Sequence, residues 1–264
     1  MDAAAGIAAV PLADAAAAGE EAVGGKAMGL ARLVGLGLPV PDAVILRVGW
    51  AGDDDDLAAA AAQVRPPFAV RSSAVGEDSA GRSAAGQFET VTGVRTAAAL
   101  APAVARCLAS AASSRAAAYL GDAPAPMAVV IQHEVAAGRS GVAFSVDPVS
   151  GLRDEVLVEA VFGHGEGMVG GLVSPDRYRV SEAGRVRVRR SVKPVALDPA
   201  GRHRRLPDER RTARTLRDDE AVAVSELVRR AEAGFGSPVD VEFCFEGPRL
   251  WLLQCRPVTA LEPT

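Results

Sequence analysis

Lysine is nearly missing from this chain. The 29 basic residues include only Lys26 and Lys193 as lysines. Arginine is the default cation of an alanine-rich sequence, so a lysine kept against that bias marks a place where an ammonium group is wanted. A strong charge of one sign is also missing. The net charge is −4, which gives no field of the kind that recruits nucleic acid or an anionic membrane. Cysteine is scarce, and Cys107, Cys244 and Cys255 have no metal-ligand spacing. They read as reduced, buried thiols of a cytoplasmic protein. No apolar run approaches a membrane span. The opening "MDAAAGIAAVPLADAAAAGE" carries acids and no basic stretch, which makes a poor signal peptide. The G-x-x-x-x-G-K-[ST] phosphate loop is absent, and so is any internal repeat.

What is present suits a large core. The chain has 264 residues, 49% of them hydrophobic, enough for one large domain or two closely joined lobes. Residues 24–46 read as a loop, a short helix, a Gly/Pro turn and a strand. The acids of "WAGDDDDLAAAAA" read as a solvated run or a helix N-cap. Residues 68–94 read as strand, small-residue loop and strand, and residues 96–120 as helix. Past "GDAPAP" the texture changes to strands at 127–135, 141–148, 154–163 and 185–190. The arginine-rich stretch 201–218 reads as a mobile loop, and 218–236 as an amphipathic helix ending at glycine. The expected class is α+β, or mixed α/β, with lobes at residues 1–125 and 126–264.

The closing segment "VDVEFCFEGPRLWLLQCRP" reads as a β-hairpin. A three-residue turn at Gly247-Pro248-Arg249 sets Glu242 opposite Gln254 and Asp240 opposite Arg256. One face then carries Asp240, Glu242, Gln254 and Arg256, and the other Phe243, Phe245, Trp251 and Leu253. A carboxylate beside an amide oxygen is a hard-oxygen site suited to Mg²⁺, and an arginine alongside suits phosphate. A surface hairpin with a salt bridge accounts for the same residues.

Two loops have phosphate-binding character. In "VRSSAVGEDSAGRSAAGQFET", Arg71 leaves a strand into serines and glycines, Gly86 among them, and the stretch ends at Thr90. Small residues let backbone N–H groups approach an anion. "GGKAMG" sets Lys26 at a helix start, where dipole and ammonium both favour phosphate. Each taken alone also fits an ordinary turn. At the end of "VVIQHEV", Gln132, His133 and Glu134 offer backbone groups to a base edge, or simply end a strand.

Taken in order, "GGKAMGL", "AVRSSAVGEDS", "AAGQFET", "VVIQHEV", "SGVAFSVDP", "VEAVFGHGEGMVGGLVSPDRY" and "VDVEFCFEGPRLWLLQCRP" resemble the ATP-grasp nucleotide-binding domain of phosphoenolpyruvate synthase, pyruvate phosphate dikinase and rifampin phosphotransferase. The resemblance runs from about residue 20 to residue 259. It implies a two-lobed ATP-grasp fold binding ATP and Mg²⁺. Lys26 and Arg71 would contact ATP phosphates, and Gly86 and Thr90 would lie over the triphosphate. Gln132 would border the adenine pocket, Glu242 and Gln254 would hold Mg²⁺, and Arg256 would reach the γ-phosphate. The catalytic set would be Lys26, Arg71 and Arg256.

The stretch between "PDAVIL" and "FAVRSS" is short for that family, and His164 stands where leucine is usual. His133, His164 and His203 lack the context of the family's phosphorylated histidine. The resemblance therefore implies a kinase that passes phosphoryl or pyrophosphoryl groups to a histidine carrier on a separate protein, giving AMP. Two alternatives remain at this point. One is a free-standing ATP-grasp enzyme that phosphorylates or ligates a small molecule directly. The other is a nucleotide-binding regulatory module.

Overall fold

The computed structural model describes residues 9–77, 89–112, 126–165, 168, 173–198 and 201–258. The chain forms two compact units, one of Met1–Gly35 and Pro41–Glu134, the other of Leu36–Val40 and Val135–Thr264.

The first unit runs β1 (Ala9–Pro11), α1 (Ala15–Ala18), α2 (Glu20–Gly35), β2 (Ala43–Leu46), α3 (Asp54–Ala61), β3 (Phe68–Ala74), β4 (Thr90–Val94), α4 (Leu100–Ala109) and β5 (Met127–His133). Its five strands form an antiparallel sheet in the order β1-β2-β5-β3-β4. Strand β5 is buried along its whole length, because both of its faces are covered. Val129 and Ile131 join the apolar cluster of α3 and α4. The alternate residues Ala128 and Val130 are equally buried, and α2 packs against β3 and β5. The lobe boundary was expected after residue 125. Since β5 is hydrogen-bonded between β2 and β3, its residues fall in the first unit, which runs to Glu134.

Two local signals explain the helices here. Asp53 caps α3 by accepting from the backbone of Asp55 and Asp56, so the acid run is a cap. Helix α2 is broken at Gly24, whose φ of 76° lies in the left-handed region. A Cβ there would sit 2.1 Å from the Ser73 carbonyl oxygen, so only glycine lets α2 come this close to β3.

The second unit continues with β6 (Arg139–Phe144), β7 (Glu155–Phe162), β8 (Asp176–Ser181), β9 (Val186–Arg189), β10 (Val195–Leu197), β11 (His203–Arg205), α5 (Asp208–Arg211), α6 (Asp218–Phe235), β12 (Val239–Glu246) and β13 (Arg249–Pro257). Six strands form an antiparallel sheet in the order β13-β12-β6-β7-β8-β9, and β10 pairs with β11. Helix α6 starts with the Glu220 carboxylate accepting from Arg217 N–H and ends, at the glycine its sequence predicts, with Gly236 in the left-handed conformation.

The stretch 201–218 is not the mobile loop its arginines suggested. It holds β11 and α5, and its far end is tied down from inside. The Thr215 backbone and hydroxyl donate to Asp176 Oδ2, and Leu216 N–H donates to the Tyr178 hydroxyl. Both acceptors lie on β8, a strand that the sequence reading passed over. Asp176 also receives Lys193 Nζ at 2.6 Å, with both side chains fully buried.

All three cysteines are free and buried. Burial pushes the Cys107 and Cys244 thiols up to about 12, which leaves them protonated and inert at neutral pH. Among the described residues, no helix is long and apolar enough to cross a membrane.

Candidate functional site

In the first unit, four of the expected residues, Lys26, Arg71, Thr90 and Gln132, meet at β3. Lys26 follows the Gly24 break and is 6% exposed. Its ammonium donates to the Ser72 carbonyl at 2.7 Å and to Glu77 Oε1 at 2.8 Å. Ser73 completes the clasp between α2 and β3. Its hydroxyl donates to Val23 O and accepts from Ala27 N–H. Arg71, one residue before Ser72, is also buried. It donates through Nη1 to Gln132 Oε1 at 3.4 Å and stands opposite Thr90 in the β3–β4 ladder. Gly86 lies outside the described residues.

Gln132 is 2% exposed, and its Nε2 has no hydrogen-bond partner. A buried amide donor left open costs free energy unless something polar meets it. The next two backbone donors are taken. His133 N–H goes to Asp42 O and Glu134 N–H to Pro67 O. The Gln132 side-chain N–H is thus a polar group left open to a ligand.

In the second unit, the hairpin brings four residues onto one face. Glu242 stands opposite Gln254, and Asp240 opposite Arg256. The turn, however, is the two-residue Gly247-Pro248, since Glu246 pairs with Arg249. The register then shifts between Glu242 and Phe243, which leaves Leu253 as the extra residue of a β-bulge. The shorter turn and the bulge offset each other, so the polar pairs meet as expected while the tip does not. Leu252, not Leu253, stands opposite Phe243, and Trp251 stands opposite Cys244. Trp251 thus packs with Cys244 and Val135 instead of sharing the Phe243 face.

Asp240 is the residue the sequence reading left without a metal or phosphate role. It is 8% exposed. Its Oδ2 accepts from Arg256 Nε at 2.9 Å and Nη2 at 2.7 Å, while its Oδ1 is buried with no hydrogen-bond partner. Burial raises its carboxyl above the usual range. Arg256 pulls it back down and Glu242 pushes it further up. A buried carboxylate oxygen with no donor, beside Glu242 and the Gln254 amide, makes a set of hard oxygen donors that fits a divalent cation. Among the described residues no three His, Cys, Asp or Glu side chains come together. The signal in the sequence was the alternation Asp240, Glu242, which points both acids to one side.

The family described as pyruvate phosphate dikinase, AMP/ATP-binding domain, matches residues 55–264. The match takes in Arg71, Gln132 and the hairpin, and begins after Lys26. A rifampicin phosphotransferase of Streptomyces sviceus is 39% identical over 79% of this chain and 26% of its own length. A probable phosphoenolpyruvate synthase of Methanocaldococcus jannaschii is 34% identical over 74% of this chain and 17% of its own length. The chain thus spans about a quarter or less of these relatives. The crystal structure of an ADP complex of N5-carboxyaminoimidazole ribonucleotide synthetase aligns over 89% of this chain and 45% of that one, at 12% identity and a TM-score of 0.44.

Proposed function

The chain belongs to the pyruvate phosphate dikinase AMP/ATP-binding domain family, and from that premise we propose that it is the ATP-dependent kinase unit of a phosphotransferase, acting with Mg²⁺. The observation that carries this reading is the hairpin face, with its open, buried Asp240 oxygen beside the Glu242–Gln254 pair. Phosphoryl transfer asks a protein mainly for positioning and for neutralisation of charge. The magnesium ion, when bound, would neutralise phosphate oxygens. Glu242, Gln254 and Asp240 would hold it.

Arg256 is anchored by Asp240 and presents a guanidinium whose place is fixed. Such a group meets a phosphate oxygen with little reorganisation. Arg71 is oriented by Gln132 in the same way, and the Gln132 Nε2–H is the donor available to an adenine ring. Lys26 would reach phosphate only by sharing its ammonium with Glu77. Gly86 and Thr90 would cover the triphosphate. The names of the relatives support phosphoryl chemistry. For this chain we assign transfer of the β,γ-pyrophosphoryl group of ATP to a histidine carrier, which leaves AMP.

Calorimetric titration with ATP is expected to show tighter binding in Mg²⁺ than in EDTA, and equal affinity in both would remove the metal from this hairpin. Single-turnover assays with the histidine-bearing partner are expected to yield AMP. ADP would instead favour direct transfer to a small molecule. Glu242→Gln keeps the shape of the site and removes a charge. Its rate is expected to fall by about 10²–10³, with the melting temperature unchanged.

A further inference from the structure

The second unit's sheet has another polar place, on the face turned away from Glu242. Phe245 stands opposite Arg139, and Arg139 opposite Phe162, so all three share a face. Glu242 is three residues from Phe245 along β12 and points the other way. On the Phe245 side, a cavity of about 450 Å³ opens between β6, β7 and the start of α6. Four arginines line it, Arg139, Arg210, Arg214 and Arg217, together with Phe162.

Most of that charge is already answered. Arg139 Nη1 reaches Glu220 at 2.5 Å, Arg214 pairs with Asp218, and Arg217 holds Asp219 at 3.0 Å. Arg210 is not answered. Its guanidinium lies 4.5 Å over the Phe162 ring and has no carboxylate partner among the described residues. Arg214 pairs with Asp218 through Nη2 and has the Tyr178 hydroxyl near its guanidinium, while its Nε is buried with no well-formed hydrogen bond. A cavity that holds one unanswered guanidinium and one open, buried N–H is built for an oxyanion. The N-terminal end of the 18-residue α6 lines the same space and adds a positive dipole end. The volume falls in the range that takes a small organic molecule, about 300–1,000 Å³.

We propose that this cavity binds a small organic oxyanion, its carboxylate or phosphate lying on Arg210 and the Arg214 Nε–H. The site is separate from the hairpin face and does not depend on the nucleotide reading.

Citrate and inorganic phosphate serve as the carboxylate and phosphate probes, titrated into the full chain with saturating Mg-ATP present to occupy any nucleotide site. Binding is expected for at least one probe, and the tighter of the two identifies the head group. Arg210→Ala removes an exposed side chain from a short helix and leaves the fold in place. It is expected to weaken the probe about 10-fold, the worth of one charge-assisted contact. Arg214→Lys keeps the charge but removes the Nε–H, and is expected to weaken it similarly. Arg189→Ala, an exposed arginine elsewhere on the sheet, should change nothing. Wild-type affinity in both cavity variants overturns the proposal. So does an equal loss in the Arg189 variant, or no binding of either probe at about 10 mM.

Discussion

Each of the two lysines is buried against a carboxylate. Lys26 pairs with Glu77 and Lys193 with Asp176. This gives the lysine bias a structural cause, and it changes what a substitution should do. Lys26→Met strands a nearly buried Glu77, and losing one partner of a buried pair costs about 3–5 kcal/mol. Urea melts of the apo protein are expected to show that loss, and Lys26→Met/Glu77→Gln should recover most of it. Arg71 is buried and donates to Gln132 Oε1 at 3.4 Å, and Arg71→Ala removes its guanidinium from the expected phosphate site. It should lower ATP-induced stabilisation more than apo stability.

Asp176 makes a pH prediction. Burial pushes its carboxyl up, but Lys193 and the N–H groups of Ser191 and Thr215 outweigh that and hold it below the usual range. The unfolded chain, with an Asp near 3.9, therefore takes up the proton first. The stabilisation is present above about pH 4 and is lost as pH falls from there through the folded value. Stability measured from about pH 5 to pH 2 should fall less steeply in Asp176→Asn/Lys193→Met than in the wild type.

At the scale of elements, Gly19 and Gly24 make a matched pair. Both have positive φ, 80° and 76°. An added Cβ at Gly19 meets nothing within 4 Å, whereas at Gly24 it meets Ser73 O at 2.1 Å. Gly19 has ψ of 155°, a positive-φ region kept almost wholly for glycine, so Gly19→Ala should cost only that backbone strain, about 1–3 kcal/mol. Gly24→Ala must also push α2 off β3, and is expected to exceed that by about 1–3 kcal/mol in the same urea melts.

These contrasts also show what a sequence can display. The span of helix α6 and its glycine end were legible, because periodicity and a left-handed glycine are local chemistry. The hairpin pairs were legible from alternation. The Leu253 bulge was not, since it answers to the neighbouring strand and leaves no local mark. The ordering of 201–218 was hidden for a related reason, as the groups that hold it, Asp176 and Tyr178, lie about 40 residues earlier in the chain. Asp240 was visible as an acid on the right face, but its open oxygen is a matter of packing.

At the scale of the whole molecule, five residues from early in the chain belong to the later unit. Leu36–Val40 is part of the second unit. Leu252 N–H donates to Pro39 O, Arg230 donates to Leu36 O, and the Leu36 side chain lies against Gly234. A fragment of residues 135–264 lacks all three contacts. Its urea midpoint is expected to lie below that of the same fragment carrying residues 36–40 on a glycine linker, and equal midpoints would show that the segment adds nothing.

That borrowed segment also sets an order of events during synthesis. Pro39 leaves the ribosome 213 residues ahead of Leu252, the strand residue that will bond to it. At roughly 5–20 residues per second the delay is about 10–40 s, far longer than helices or hairpins need to form. The first unit has all its strands once β5 has emerged. For the rest of that time Leu36–Val40 is a strap held at both ends by a finished domain, waiting for a partner that does not yet exist. Strand β13, the last of the described strands, is the one that closes onto it.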